Sequence, residues 1–320
     1  MRHGDRGQDG ETNLLELPTP PKRRASWKET LDRAGQLLLP AAHDALTARI
    51  IERAGFPAFQ VGGFALVASR YAHPDVDLEQ YGEKMAGVRE VIGASTLPVL
   101  VDGDDGYGDV KNVTRTIRGY EALGVSAVFI EDQQAPKRCG HMNDKHVVTT
   151  TVMEEKVRAA AGARREPATF LVARTDAIEP EGLSEALRRG EKYLEAGADG
   201  IYVEGPRNVE ELAKIGETFR GTPLATSVLE RGGKTPWLPP DEFKRLGFTM
   251  ILYPTSILFR ATRAIELAAM DLFAGRPLSR ANSVDMKVFE DIVQLDQWAE
   301  IEDRFQKQSL VSKVAHSVIG

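Results

Sequence analysis

Between residues 37 and 253 the chain alternates short, wholly apolar runs with longer stretches whose apolar residues recur at helical spacing. The runs are Leu37–Pro40, Ala58–Val61, Val99–Asp102, Ala127–Glu131, Phe170–Arg174, Ile201–Glu204, Leu224–Ser227 and Met250–Tyr253. They are continuous rather than alternating, as parallel strands covered on both faces require. Gly55, Gly124, Gly197 and Gly247 each end a helical segment just before an apolar run, in AGFPAFQV, LGVSAVFI, AGADGIYV and LGFTMILY. A glycine there supplies the left-handed turn that stops a helix before the chain enters a sheet. Eight such strand–helix units predict an α/β fold, a (β/α)8 TIM barrel. A doubly wound open sheet is the alternative, but it calls for a Gly-rich phosphate turn after the first strand, and the sequence has none.

The pattern divides the chain into three. Residues 1–26, rich in Arg, Asp, Gly and Pro, read as a disordered tail. Residues 27–275 hold the barrel. Residues 276–320 form a helical extension. Ile257–Phe273 reads as one long helix. Val288–Phe305 reads as another, with Phe289, Ile292, Val293, Leu295, Trp298, Ile301 and Phe305 at helical spacing. This apolar stripe packs either on a second subunit or on the chain's own barrel.

Composition narrows the function. At 320 residues, 42% hydrophobic and 28% charged, the chain can bury a large core. A net charge of −6 gives no basic footprint for nucleic acid. No apolar run is long enough to span a membrane, and the polar N-terminus is unlike a signal peptide. The single cysteine, Cys139, excludes an internal disulfide and points to a reducing, cytoplasmic setting.

In such barrels the chemistry sits at the carboxyl ends of the strands. Read in order, those ends carry Gly62 and Gly63, Asp102 and Asp104, Glu131 and Asp132, Arg174 and Asp176, Glu204, Thr226 and Ser227, and Tyr253. Clustered carboxylates without clustered His or Cys suit a hard cation, Mg²⁺ or Mn²⁺. Arg174 is suited to a bidentate grip on a substrate carboxylate, or else to an ion pair with Asp176 or Glu204. Cys139 lies in Pro136-Lys-Arg-Cys-Gly-His141, among Lys137, Arg138 and His141. Positive neighbours favour thiolate, and Gly140 allows the loop to fold over the mouth. Such a thiol serves as nucleophile or as general acid/base.

The segments VDGDDGYGD, IEDQQAPKRCGH, ARTDA, YVEG, GGKTP and YP together resemble the isocitrate lyase/phosphoenolpyruvate mutase superfamily, over about Leu37 to Phe305. KRCGH is the most specific piece and points to the short carbon–carbon lyases that cleave 2-methylisocitrate or 2,3-dimethylmalate. The resemblance implies Mg²⁺ on Asp102, Asp104 and Glu131, with Asp75 near metal and substrate. It implies Gly62 and Gly63 as a cradle for the substrate carboxylate, Arg174 as a substrate-binding residue and Glu204 as one that orients the outer sphere of the bound site. Thr226 and Ser227 join the substrate-binding candidates by their place at the end of the seventh strand. Cys139 would protonate an enolate, tuned by His141 and Lys137. A small carboxylate is the implied partner. The implied assembly is a homo-oligomer, a dimer of dimers that exchanges its C-terminal helices. A phosphonomutase and an oxaloacetate hydrolase or decarboxylase are the alternative activities. Three positions depart from the family pattern: Thr226–Gly232 lacks the usual asparagine, Asp105 replaces a small residue, and His43 replaces a tyrosine.

Overall fold

A computed structural model of the protein describes residues 24–317, with side chains through Gln306. Eight strands are present: β1 (Leu37–Pro40), β2 (Phe59–Val61), β3 (Val99–Asp102), β4 (Ala127–Glu131), β5 (Phe170–Thr175), β6 (Gly200–Val203), β7 (Leu224–Ser227) and β8 (Met250–Tyr253). Each lies within a residue of its apolar run. All the paired strands are parallel, in the order β1-β8-β7-β6-β5-β4-β3-β2. A bridge between Ala41 and Gln60 joins β1 to β2, and the Ala42 N–H donates to the Gln60 carbonyl at 2.9 Å. The sheet therefore closes as a TIM barrel.

Strand side chains alternate between two cores, as a period of two demands. Leu37, Leu39, Leu100, Phe129, Val172, Tyr202, Ala225 and Leu252 fill the interior, where Trp27 and Leu31 of the helix Trp27–Ala34 join them. Val99, Val101, Val128, Ile130, Leu171, Ala173, Ile201 and Ile251 face outward under the ring of helices. This alternation decides which strand-end side chains look into the mouth.

Two expectations change. The tail does not extend to residue 26. The Arg24 guanidinium donates to the carbonyls of Ser95 (2.9 Å) and Gly124 (3.2 Å), and Ser26 caps the helix Trp27–Ala34 by accepting from the Glu29 N–H. The rest of that tail, residues 1–23, lies outside the described residues. The helix expected over 288–305 is two, Met286–Ile292 and Leu295–Ser317, separated at Gln294, whose φ of 59° is left-handed and breaks the helical ladder. The helix Ser256–Phe273 buries none of its residues, and Ile265, Met270, Leu272 and Phe273 stand exposed along it. No helix among the described residues is long and apolar enough to cross a membrane.

Candidate active site at the carboxyl ends of the strands

The positions that follow the interior side chains by two residues carry the chemistry. After Leu100 comes Asp102, after Phe129 Glu131, after Val172 Arg174, after Tyr202 Glu204, and after Ala225 Ser227. All five line one cavity of about 50 Å³, with Gly62, Gly63, Asp75, Lys137, Cys139 and His141. Thr226 does not join them. It precedes Ser227 on β7, so the pleat turns it to the outer face, buried with its hydroxyl unpartnered. His43 also stays off the cavity, its ring against Thr47 at 3.3 Å.

On one side of the cavity lies the acidic turn. Asp102 accepts from the N–H groups of Gly63 (3.0 Å) and Asp104 (2.9 Å), which aim its carboxylate at the mouth. Asp104 sits one layer behind, off the cavity wall, between Lys84 (3.0 Å) and Lys137 (2.5 Å). Lys137 also reaches Asp75 at 2.7 Å. Asp105 points away, paired with Lys156 at 3.2 Å, so its departure from the family pattern leaves the cavity wall unchanged. Burial raises the Asp102 and Glu131 carboxyls above their usual range, helped at Asp102 by Asp104 and at Glu131 by Asp176. Oε1 of Glu131 is buried and accepts no hydrogen bond. A cation would relieve both conditions. Among the described residues no three His, Cys, Asp or Glu side chains converge as a ready-made ligand set. The site therefore suits a hard cation that keeps several waters, which Asp102 would hold directly and Glu131 and Asp104 through water.

Arg174 forms the opposite wall. Its guanidinium grips Asp176 in a fork, Nε to Oδ2 at 2.9 Å and Nη2 to Oδ1 at 3.0 Å, and Nε lies 3.3 Å from Glu131. Asp176 is itself fixed: its N–H donates to Asp132 at 2.9 Å, and Lys145 reaches its carboxylate at 2.9 Å. Asp132, fully buried, also accepts from Thr175, Tyr193 and Arg189, so it anchors the β5 end rather than facing the mouth. Glu204 accepts from Tyr202 and lies 3.7 Å from Arg174 Nη2.

The segment 137–142 closes the mouth. The Gln133 side chain pairs with both backbone groups of Arg138 (2.8 and 2.9 Å), and Cys139 N–H donates to the Asp75 carbonyl at 3.1 Å. Lys145 donates to the Gly140 carbonyl at 2.5 Å. A Cβ on Gly140 would overlap Arg174 Nη2 and stand 2.7 Å from Glu204 Cγ, so only glycine lets this loop seat on the pair. His141 accepts the Lys234 N–H at Nδ1 (3.2 Å), which puts its proton on Nε2, facing Ser227 (2.9 Å) and Glu204 (3.5 Å). Burial holds its pKa below the usual histidine value, so the ring is neutral at pH 7.

The basic sequence around Cys139 does not produce a thiolate. Asp75 and Asp104 take up the Lys137 charge, while burial, helped by Asp75, pushes the Cys139 thiol up to about 11. Below that value it stays protonated, as an acid must be before it gives up its proton. Alkylation by iodoacetamide is expected to climb about tenfold per pH unit well beyond pH 9, where a thiol of ordinary pKa of about 8.5 has levelled off. A plateau near pH 8.5 would contradict the raised thiol pKa.

Two cations escape a reading of the strand ends. Lys145 follows the lid. Lys84 lies on the helix Tyr81–Gly93, on the buried stripe that includes Val88, Val91 and Ile92. A lysine on an apolar stripe was the available signal.

Comparison with known proteins gives the family. The phosphoenolpyruvate phosphomutase family matches residues 28–273. The 2,3-dimethylmalate lyase of Eubacterium barkeri is 38% identical over 286 residues, 88% of this chain and 97% of that protein. The petal death protein of Dianthus caryophyllus is 36% identical over 288 residues, 89% of this chain and 90% of its own length. A solved structure of oxaloacetate acetylhydrolase with the inhibitor 3,3-difluorooxalacetate superposes with a TM-score of 0.82 at 28% identity, covering 86% of this chain and 94% of that one. The chain belongs to the phosphoenolpyruvate mutase/isocitrate lyase superfamily, as an enzyme on its carbon–carbon lyase side.

Proposed function

We propose that the enzyme cleaves a 2,3-dimethylmalate- or 2-methylisocitrate-like acid by retro-aldol chemistry, to pyruvate or another oxo acid and a short carboxylate. The observation that carries this reading is the Cys139 thiol, its pKa pushed up by burial, facing the same small cavity as Asp102, Glu131 and Arg174. When bound at Asp102, with Glu131 and Asp104 through water, Mg²⁺ or Mn²⁺ supplies Lewis-acid stabilisation of developing oxyanion charge. The chain's own residues do the rest. The Gly62–Gly63 turn and Arg174 orient the carboxylates of the acid. The substrate hydroxyl gives its proton to a carboxylate of the cavity and its oxygen becomes the carbonyl of the oxo acid, while the bond from that carbon to its neighbour breaks and the electron pair stays on the departing fragment as an enolate. The Cys139 Sγ–H then delivers a proton to the enolate carbon, and the thiolate left behind takes a proton back from that carboxylate through solvent. His141, neutral and held by Lys234 and Ser227, keeps the lid seated over Glu204. A second copy of the chain is proposed to cover the exposed apolar face of Ser256–Phe273, in a homo-oligomer that exchanges C-terminal helices.

The test is to incubate the enzyme with Mg²⁺ and 2,3-dimethylmalate, 2-methylisocitrate, oxaloacetate or phosphonopyruvate, and to follow products by ¹H and ³¹P NMR. Pyruvate with a second acid from either of the first two supports the lyase reading. Oxalate with acetate from oxaloacetate, or a moving phosphorus resonance, replaces it with a hydrolase or a mutase. The metal assignment makes a separate prediction. Asp102→Asn is expected to weaken Mn²⁺ binding by about tenfold or more, since it removes the charge of the best-placed ligand. An unchanged Mn²⁺ titration would remove Asp102 from the metal site.

A further inference from the structure

Lys84 is unused by the chemistry above, yet it is 3% exposed and its ammonium lies 3.0 Å from Asp104, directly behind the metal turn. It also shapes the cradle. A Cβ on Gly63 would stand 2.7 Å from Lys84 Nζ and 3.1 Å from Asp102 Oδ2, so the glycine turn lies close against both the lysine and the acidic turn. A lysine buried on an apolar helix stripe is costly unless its charge is needed.

The charge balance shows where it is needed. On the acidic side of the cavity, Asp75, Asp102, Asp104 and Glu131 have Lys84 and Lys137 beside them, and Glu131 also touches Arg174; with Arg174 counted on the opposite wall, this side carries an excess of two negative charges when its carboxylates are ionised. On the opposite side Arg174 and Lys145 balance Asp176 and Glu204. One divalent cation therefore brings the site to neutrality. Without Lys84 the excess would be three, and the loaded site would keep a net negative charge against an incoming carboxylate.

We propose that Lys84 is a positioning residue acting through Asp104, whose buried charge lowers the pull of the site on its cation and raises the affinity of the cation-loaded cavity for a di-anionic acid. This rests on the metal-dependent reading above. It predicts opposite effects on two ligands, which a general loosening of the fold cannot produce.

The test uses Mn²⁺ alone, followed by electron paramagnetic resonance, and oxalate added to Mn²⁺-saturated enzyme, followed by calorimetry. In Lys84→Met, Mn²⁺ is expected to bind about tenfold tighter and oxalate about tenfold more weakly, the scale of one uncompensated charge at short range in a protein interior. Lys84→Arg, which keeps the charge, should return both constants to within a few-fold of the parent. Lys84→Gln keeps a donor to Asp104 without the charge, should behave as the methionine variant does, and stands in for it if that variant does not fold. Affinities that are unchanged, or that move in the same direction, overturn the role of Lys84. If the parent enzyme binds no Mn²⁺, the metal-dependent function fails as well, and the two failures are told apart.

Discussion

Cys139→Ser is expected to lower turnover of the cleavable acid by about 10²–10⁴-fold, the usual contribution of a positioned general acid, with Mn²⁺ affinity near that of the parent. Serine keeps the size and the single proton of cysteine, but a hydroxyl is a far weaker acid than a thiol and yields its proton to an enolate carbon much less readily. Cys139 does not contact the acidic turn. Its N–H donates to the Asp75 carbonyl, and its side chain enters the cavity from the lid. Metal binding should therefore be spared. The informative measurement is the exchange of solvent deuterium into the short carboxylate product. In the parent, the thiol delivers one deuterium stereospecifically in D₂O. In the variant, slow protonation from water should scramble the stereochemistry. Turnover within a few-fold of the parent, with stereospecific label, would show that another group supplies the proton.

The barrel was legible because its physics is local. Each strand had to be apolar on both faces, and four of the returning helices stop at a residue tolerant of left-handed backbone. Gly55, Gly124, Gly197 and Gly247 all adopt positive φ. The site was legible in outline for the same reason, since strand parity alone sends Asp102, Glu131, Arg174 and Glu204 inward. Parity also argued against Thr226, next to the inward Ser227, and a stricter use of it would have removed Thr226 from the candidates.

What escaped depended on contacts between distant segments. The basic look of Lys137-Arg-Cys-Gly-His141 suggested a thiolate, but Asp75, 62 residues before Lys137, takes up the charge that would have lowered the thiol pKa. Asp104 looked like a ligand equal to Asp102. Its two lysines come from a helix and from the lid, and they draw it behind the wall. The break at Gln294 carries no glycine or proline to announce it.

Arg174→Met is expected to lower folding stability by about 3–5 kcal/mol, the cost of removing one partner from a buried ionic cluster, and to abolish turnover. Arg174 is 7% exposed, and three carboxylates share it: Asp176 through two hydrogen bonds, Glu131 at 3.3 Å and Glu204 at 3.7 Å. Lys145 still reaches Asp176 in the variant, but among the described residues Glu131 has no other ion-pair partner, and burial already raises its carboxyl. The sign with pH follows from this. The variant leaves carboxylates buried without their cation, and protonation relieves them, so the deficit should be largest near neutrality and shrink as the pH falls. Arg174→Lys should recover part of the stability, because a charge remains, and little of the turnover, because an ammonium cannot reproduce the fork that holds Asp176 while presenting an edge to the substrate. Urea unfolding of the three proteins at pH 7.5 and pH 5 measures both effects. A loss below about 1 kcal/mol at pH 7.5, the range of an exposed ion pair, would mean that water reaches these carboxylates and that the wall is not the buried, preorganised grip on which the proposed cleavage depends.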